Sequence, residues 1–145
     1  HRGEDTVSQQ SMAETDARSL SPALRVLVVD DEKEIAALLA DLLALDGHRV
    51  ATASDGLAAL DLLEHQEYDL ILSDVRMPAL DGPGLYREIE RRHPRLLSRL
   101  IFVTGNALAG ESAEFFERTG ARCLRKPFVM AEIRRVIQQL LLPAA

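Results

Sequence analysis

Four short aliphatic runs, each ending in a residue that can do chemistry, constrain this chain more than any other feature. They are Val26-Leu-Val-Val-Asp30-Asp31, Leu70-Ile-Leu-Ser-Asp74, Leu100-Ile-Phe-Val-Thr104 and Cys123-Leu-Arg-Lys126. All are too short for helices, and the first three are too apolar for half-exposed strands, as expected of parallel strands covered on both faces. Between them lie segments with helical spacing. Glu32 to Leu45 puts Ile35, Leu38, Leu39, Leu42 and Leu43 on one stripe, and Gly47 is its natural stop. A weaker alternating strand, His48 to Ser54, is expected at a sheet edge. Ser54 or Asp55 can cap a helix running to about Gln66, with Leu57, Leu60 and Leu63 spaced by three.

Past the third strand, Tyr68 to Ser73, the turn signals Met77-Pro78 and Asp81-Gly82 precede a helix over Leu85 to Arg92 that Pro94 ends. Ser112 to Arg118 reads as the fourth helix, closed by Gly120. Met130 to Leu142 reads as the last, with Ile133, Val136, Ile137 and Leu140 inward. Five βα units with right-handed crossovers predict one parallel sheet with helices on both faces. All strand ends then fall on one edge, where open α/β sheets bind ligands.

Composition sets the bounds. A chain of 145 residues and 16.0 kDa is one domain's worth, able to bury a core without disulfide or metal. With no Trp, two Tyr and four Phe, that core is expected from Leu, Val, Ile and Ala. Residues 1–22, rich in polar residues with Val7 and Leu20 the only large aliphatics, read as a flexible leader, a linker from a longer protein or a cloning remnant, and residues 23–143 as the domain. The ending Leu-Leu-Pro-Ala-Ala resembles a natural terminus. A net charge of -6 argues against a nucleic-acid surface, which calls for a basic stripe. No apolar run approaches the roughly 18 residues of a membrane span. Cys123, alone, forbids an internal disulfide and suits the reducing cytoplasm.

The strand ends together suggest phosphate chemistry. Asp30-Asp31 can be a helix cap and nothing more, Thr104 a packing residue, and Lys126 a solvated lysine. Yet Asp74 ends a strand of the same sheet, and carboxylates converging in a crevice require a cation or a proton to offset them. Oxygen ligands without His or Cys nearby select a hard ion, Mg²⁺ above all where a phosphate oxygen can share the coordination. Pro127 restricts Lys126 to an extended backbone, which fixes the direction of its ammonium. Two acidic ligands, a further carboxylate, a hydroxyl and an ammonium suit phosphoryl transfer, in which positioning and charge neutralisation dominate.

These motifs, Val-Val-Asp30-Asp31, Leu-Ser-Asp74-Val-Arg-Met77-Pro78-Ala-Leu-Asp81-Gly82, Phe-Val-Thr104-Gly and Arg-Lys126-Pro127-Phe128, resemble the receiver domain of two-component response regulators in order and spacing. The likeness covers about Leu24 to Leu142. It implies a flavodoxin-like (βα)5 doubly wound sheet of strand order 2-1-3-4-5, an order the general rule for such folds already illustrates with a receiver. It also implies that Asp74 is the phosphoacceptor. Asp30, Asp31, Asp74 and the main-chain carbonyl of Arg76 would then hold Mg²⁺, while Thr104 and Lys126 would contact the phosphoryl group. The implied partner is a histidine kinase or histidine phosphotransfer domain, with no nucleic acid, no membrane contact and oligomers allowed. A polar leader before a receiver resembles the tail of a hybrid sensor kinase, and a free-standing regulator is the alternative.

One position departs from the family. Where receivers often carry a Tyr or Phe whose rotamer follows the threonine, this chain has Cys123, so Thr104 and Cys123 form an altered switch pair. Gly105 and Asn106 are within the family's range. An unphosphorylated interaction module with this fold would be marked by loss of the acidic pair or the lysine, and all are present. A haloacid-dehalogenase-like phosphohydrolase would place a second Asp two residues after the nucleophile, but Asp30 is followed there by Glu32 and Asp74 by Arg76.

Overall fold

The computed structural model describes residues 23–105, 110–126 and 130–141. The expectations for residues 1–22, Asn106, Pro127, Phe128 and the segment from Leu142 onward lie outside these. Five strands alternate with five helices: β1 (Arg25–Val29), α1 (Lys33–Leu45), β2 (Arg49–Ala53), α2 (Gly56–His65), β3 (Leu70–Ser73), α3 (Gly82–Arg92), β4 (Leu100–Thr104), α4 (Gly110–Thr119), β5 (Arg122–Arg125) and α5 (Met130–Leu141). The strands form one parallel sheet in the order β2-β1-β3-β4-β5, as expected. A 3-10 segment, Pro94–Arg99, joins α3 to β4 and was not foreseen. Pro94 does end α3, but its fixed φ also starts this tighter turn.

Alternation along the strands sorts the core into two layers. Leu27, Val29, Ile71, Leu100 and Phe102 point to one side and pack with Ala59, Leu60 and Leu63 of α2, Leu85 and Ile89 of α3, and Phe115 and Phe116 of α4. Val26, Val28, Leu70, Leu72, Ile101 and Val103 point to the other, against Ala36, Leu39 and Leu43 of α1 and Ile133 and Ile137 of α5. Burying a Leu, Ile, Val or Phe side chain this fully is favourable by about 1.5–3 kcal/mol. Both faces of β1, β3 and β4 are therefore fixed by side chains that tolerate no shift of register.

Several sequence readings need correcting. Leu38, placed on the inner stripe of α1, is 53% exposed; the buried row is Ala36, Leu39 and Leu43, and Leu38 lies about 100° round the helix from Leu39. Leu57 is 56% exposed for the same reason, because Gly56, Ala59, Leu60 and Leu63 form the buried face of α2. Helix α3 starts at Gly82 rather than Leu85, since Asp81 accepts the Gly84 N–H at 2.9 Å and Pro83 occupies the first turn. Of the two cap candidates for α2, Asp55 serves, accepting the Ala58 N–H at 2.8 Å. The core is also less purely aliphatic than the composition suggests. Tyr86, Phe102, Phe115 and Phe116 meet edge to face, with ring centroids 5.1–5.7 Å apart.

Candidate functional site

The sheet itself delivers the reactive groups to one edge. Asp30 follows Val29 and Asp74 follows Ser73, and Val29 and Ser73 are register partners in neighbouring strands. The ladder continues one residue further on each strand. The Asp74 N–H donates to Val29 O at 2.8 Å, the Asp30 N–H to Ala53 O at 3.0 Å, and the Lys126 N–H to Thr104 O at 2.8 Å. These bonds fix the main chain of all three charged residues before any side-chain contact is counted. Thr104, the last residue of β4, is buried between them.

Lys126 extends over the end of β4 toward the acidic groups. Its Nζ stands 2.9 Å from Asp30 Oδ2, 3.4 Å from Asp74 Oδ2 and 3.9 Å from Glu32 Oε1. Desolvation pulls the Lys126 pKa down, but hydrogen bonds and charge from Asp30 and Asp74 outweigh it, and the net shift is upward. The ammonium stays charged. For Asp74, burial dominates in the opposite sense to its partners: desolvation raises its pKa despite the Val75 N–H on Oδ1 at 2.7 Å and the nearby Lys126. Asp30 adds to the rise by like-charge repulsion. The charged form of Asp74 is thus under-compensated where it stands.

Asp31 completes the cluster. One carboxylate oxygen from each of Asp30, Asp31 and Asp74 lies within 4.8 Å of the others. Asp30 accepts the Glu32 N–H at 2.9 Å, while Glu32, the cap residue of α1, makes no side-chain cap bond of its own. Local capping therefore accounts for one oxygen of Asp30 and leaves Asp31, exposed and pointing at the same space, without such a role. Three hard oxygen donors, one ammonium and no His or Cys in the group fit a small divalent cation of the Mg²⁺ type.

Among the other residues singled out, Arg76 lies in the loop after Asp74 with its side chain exposed. Cys123 is half-buried on β5, in register with Phe102, and its Sγ faces Leu124 O at 3.8 Å. Burial pushes its thiol pKa up, with the charge of Arg125 opposing, which disfavours the thiolate. Sequence reasoning missed His48. It is 9% exposed, and its Nδ1 accepts the Leu24 N–H at 3.1 Å, tying the starts of β1 and β2; burial lowers its pKa. An isolated His at a strand start carries no signal that would have revealed this.

Comparison with known proteins gives a consistent picture. A family model described as the response regulator receiver domain matches residues 26–138. The sensor histidine kinase RcsC of Escherichia coli is 40% identical over 114 residues, covering 79% of this chain and 12% of RcsC. Sensor kinase CckA of Brucella abortus is 32% identical over 127 residues, covering 86% of this chain and 13% of CckA. The chain thus spans about an eighth of these curated relatives. Among solved structures, the receiver domain of sensor histidine kinase PA1611 from Pseudomonas aeruginosa, with a magnesium ion coordinated in its active site cleft, is 34% identical at a TM-score of 0.73, covering 81% of this chain and 97% of that one. Vibrio cholerae chemotaxis protein CheY4 is 28% identical at a TM-score of 0.72, covering 82% and 99%.

Proposed function

The chain belongs to the response regulator receiver domain family, and from that premise we propose that it is the phosphoacceptor of a two-component phosphorelay, with Asp74 receiving the phosphoryl group. The observation that carries this reading is the single ammonium of Lys126 shared between Asp30 and Asp74 at a sheet edge where three carboxylates converge. The donor is a phosphohistidine on a histidine kinase or histidine phosphotransfer domain. A carboxylate oxygen of Asp74 attacks phosphorus, the P–N bond breaks, the P–O bond forms, and the histidine leaves as the neutral imidazole once protonated.

Each residue has a part that its position supports. Mg²⁺ would be held by Asp30, Asp31, Asp74 and the main-chain carbonyl of Arg76, and when bound it supplies positive charge to the phosphoryl oxygens. Lys126 offsets the same charge from the β5 side. Thr104, rigidly held at the end of β4, offers a hydroxyl to a phosphoryl oxygen. Desolvation disfavours the Asp74 anion in the resting protein, and the acyl phosphate brings still more negative charge to the same place, so the positive charge of Lys126 and of a bound cation is what the site must supply. The domain catalyses only its own phosphorylation and dephosphorylation.

The similarity to sensor kinases, of which the chain spans 12–13%, favours a place as the receiver of a hybrid kinase. A free-standing regulator like the chemotaxis protein CheY4, to which the chain is also similar, is the second reading. In both, the working compartment is the cytoplasm, where kinases draw on ATP; no helix among the described residues is long and apolar enough to cross a membrane. The test is intact-mass measurement after incubation with acetyl phosphate or a phosphorylated kinase, with and without Mg²⁺. One phosphoryl group is expected on the wild type with Mg²⁺ and none on Asp74→Ala. Equal labelling of the two proteins would reject Asp74, and labelling that survives chelation would reject the metal role.

A further inference from the structure

The loop from Asp74 to α3 carries the Arg76 carbonyl, and a side chain remote from the reacting groups, Leu80, holds that loop in place. Its carbonyl accepts the Gly56 N–H at 3.1 Å, so the first residue of α2 is tied to the loop. Its side chain is gripped from the other side by α3. A Cβ built on Gly56 would stand 2.5 Å from Leu80 O and 2.8 Å from Leu80 Cβ, and one built on Gly84 would stand 2.5 Å from Leu80 Cδ1. The two helix starts approach the partly buried Leu80 so closely that neither leaves room for a Cβ.

The loop's own backbone shows that this grip does work against strain. The Leu80 N–H bonds back to Pro78 O at 2.7 Å, and Ala79 between them sits at φ 68, in the left-handed region that costs a residue with a Cβ on the order of 1–2 kcal/mol. Such a conformation persists only where the surroundings over-determine it. The far end of the loop is closed by the Gly82 N–H on Val75 O at 2.7 Å, under the ring of Phe102, which would lie 2.8 Å from a Cβ on Gly82. Val75 also donates to Asp74 Oδ1. The restraint on Leu80 therefore continues through the loop to the carboxylate.

We infer that Leu80, clamped between Gly56 and Gly84, is a positioning residue that sets the height of the Asp74–Asp81 loop and with it the cation affinity of the site. The inference rests on the metal reading proposed above. Two variants probe it from opposite directions: Leu80→Ala removes the wedge, and Gly56→Ala, at a helical position whose φ suits alanine, pushes on the Leu80 carbonyl. Amide shifts followed through a Mg²⁺ titration give the affinity, and amide hydrogen exchange at Gly56 and Gly82 in metal-free protein reports the loop.

Both variants should bind Mg²⁺ about tenfold more weakly, the size typical of lost support behind a metal ligand. Exchange at Gly82 should accelerate, while the labelling rate at saturating Mg²⁺ stays within about twofold of wild type. Wild-type Mg²⁺ affinity in the variants, with faster exchange, would overturn the inference and make Leu80 packing alone. Failure of the wild type itself to bind Mg²⁺ would overturn the metal reading, and this inference with it.

Discussion

At the scale of single residues, Asp74 stands in a place that disfavours its own charge. Its folded pKa is raised above the ordinary 3.8, chiefly by desolvation, so over the window from 3.8 up to the raised value the folded protein holds more proton than the unfolded chain. Stability then falls as pH rises through that window, and the full penalty remains at neutral pH. Asp74→Asn removes the penalty while Lys126 keeps Asp30 at 2.9 Å. The variant is expected to melt higher than wild type at pH 7 without metal, with the advantage shrinking as pH is lowered toward 4. A lower melting temperature for Asp74→Asn across that range would mean that the Lys126 contact to Asp74 outweighs desolvation. Cys123 shows the same effect on a half-buried thiol, whose pKa burial likewise raises.

At the scale of elements, the helices divide by what their outer faces show. Helix α1 begins next to the acidic cluster and leaves Leu38 at 53% and Leu45 at 73% exposure, with Ala37 and Ala44 exposed nearby. An apolar outer face of this kind is suited to a helical phosphotransfer partner approaching the phosphoryl end of the sheet. Ala37→Glu should slow phosphotransfer from such a partner at least about tenfold yet change the unfolding free energy by no more than about 0.5 kcal/mol. Stopped-flow transfer and a thermal melt on the same preparation decide it, and unchanged transfer would move docking off α1.

The elements also show what a sequence can and cannot disclose. The three inner strands were legible because both faces are buried, so Val26 to Val29 and Leu100 to Val103 are apolar without a break, whereas β5 is a half-exposed edge strand. Convergence of Asp30, Asp74, Thr104 and Lys126 on one edge followed from parallel topology alone, once alternation with helices was recognised. What stayed hidden depends on rotation and close approach. Whether Leu38 or Ala36 joins Leu39 against the sheet turns on a rotation of the helix that leucine-rich spacing does not resolve. The Leu80 clamp depends on three segments meeting, and the aromatic cluster joins Tyr86 and Phe102 to Phe115 and Phe116 of α4. No local pattern encodes such meetings.

At the scale of the whole molecule, the proposed phosphorylation would reach a partner that does not itself dock at the reactive edge through a second arrangement of the surface around α4, β5 and α5. In similar receivers an aromatic ring follows the threonine and repacks that face. Cys123 has one side-chain torsion and little volume, so the two states differ by fewer contacts, and the bias available to a partner shrinks with them. On the proposed phosphoacceptor reading, the expectation is a domain that relays or stores phosphate rather than one that displays a new surface. With beryllofluoride as phosphoryl mimic, amide shift changes should be large at Asp30, Asp74 and Lys126 and small over 112–119 and 130–141. Changes in those helices as large as those beside Asp74 would refute the muted switch.

The central claim, that this edge passes phosphate through Asp74, is tested most directly by locating the phosphoryl group itself. The protein is phosphorylated from a phosphohistidine donor in Mg²⁺, the acyl phosphate is reduced with borohydride, and the digest is sequenced by tandem mass spectrometry. Homoserine at position 74, dependent on Mg²⁺ and lost when Lys126 is replaced by alanine, is the predicted result. Homoserine at position 30 or 31, or no reduced residue in protein that carries label, would contradict it.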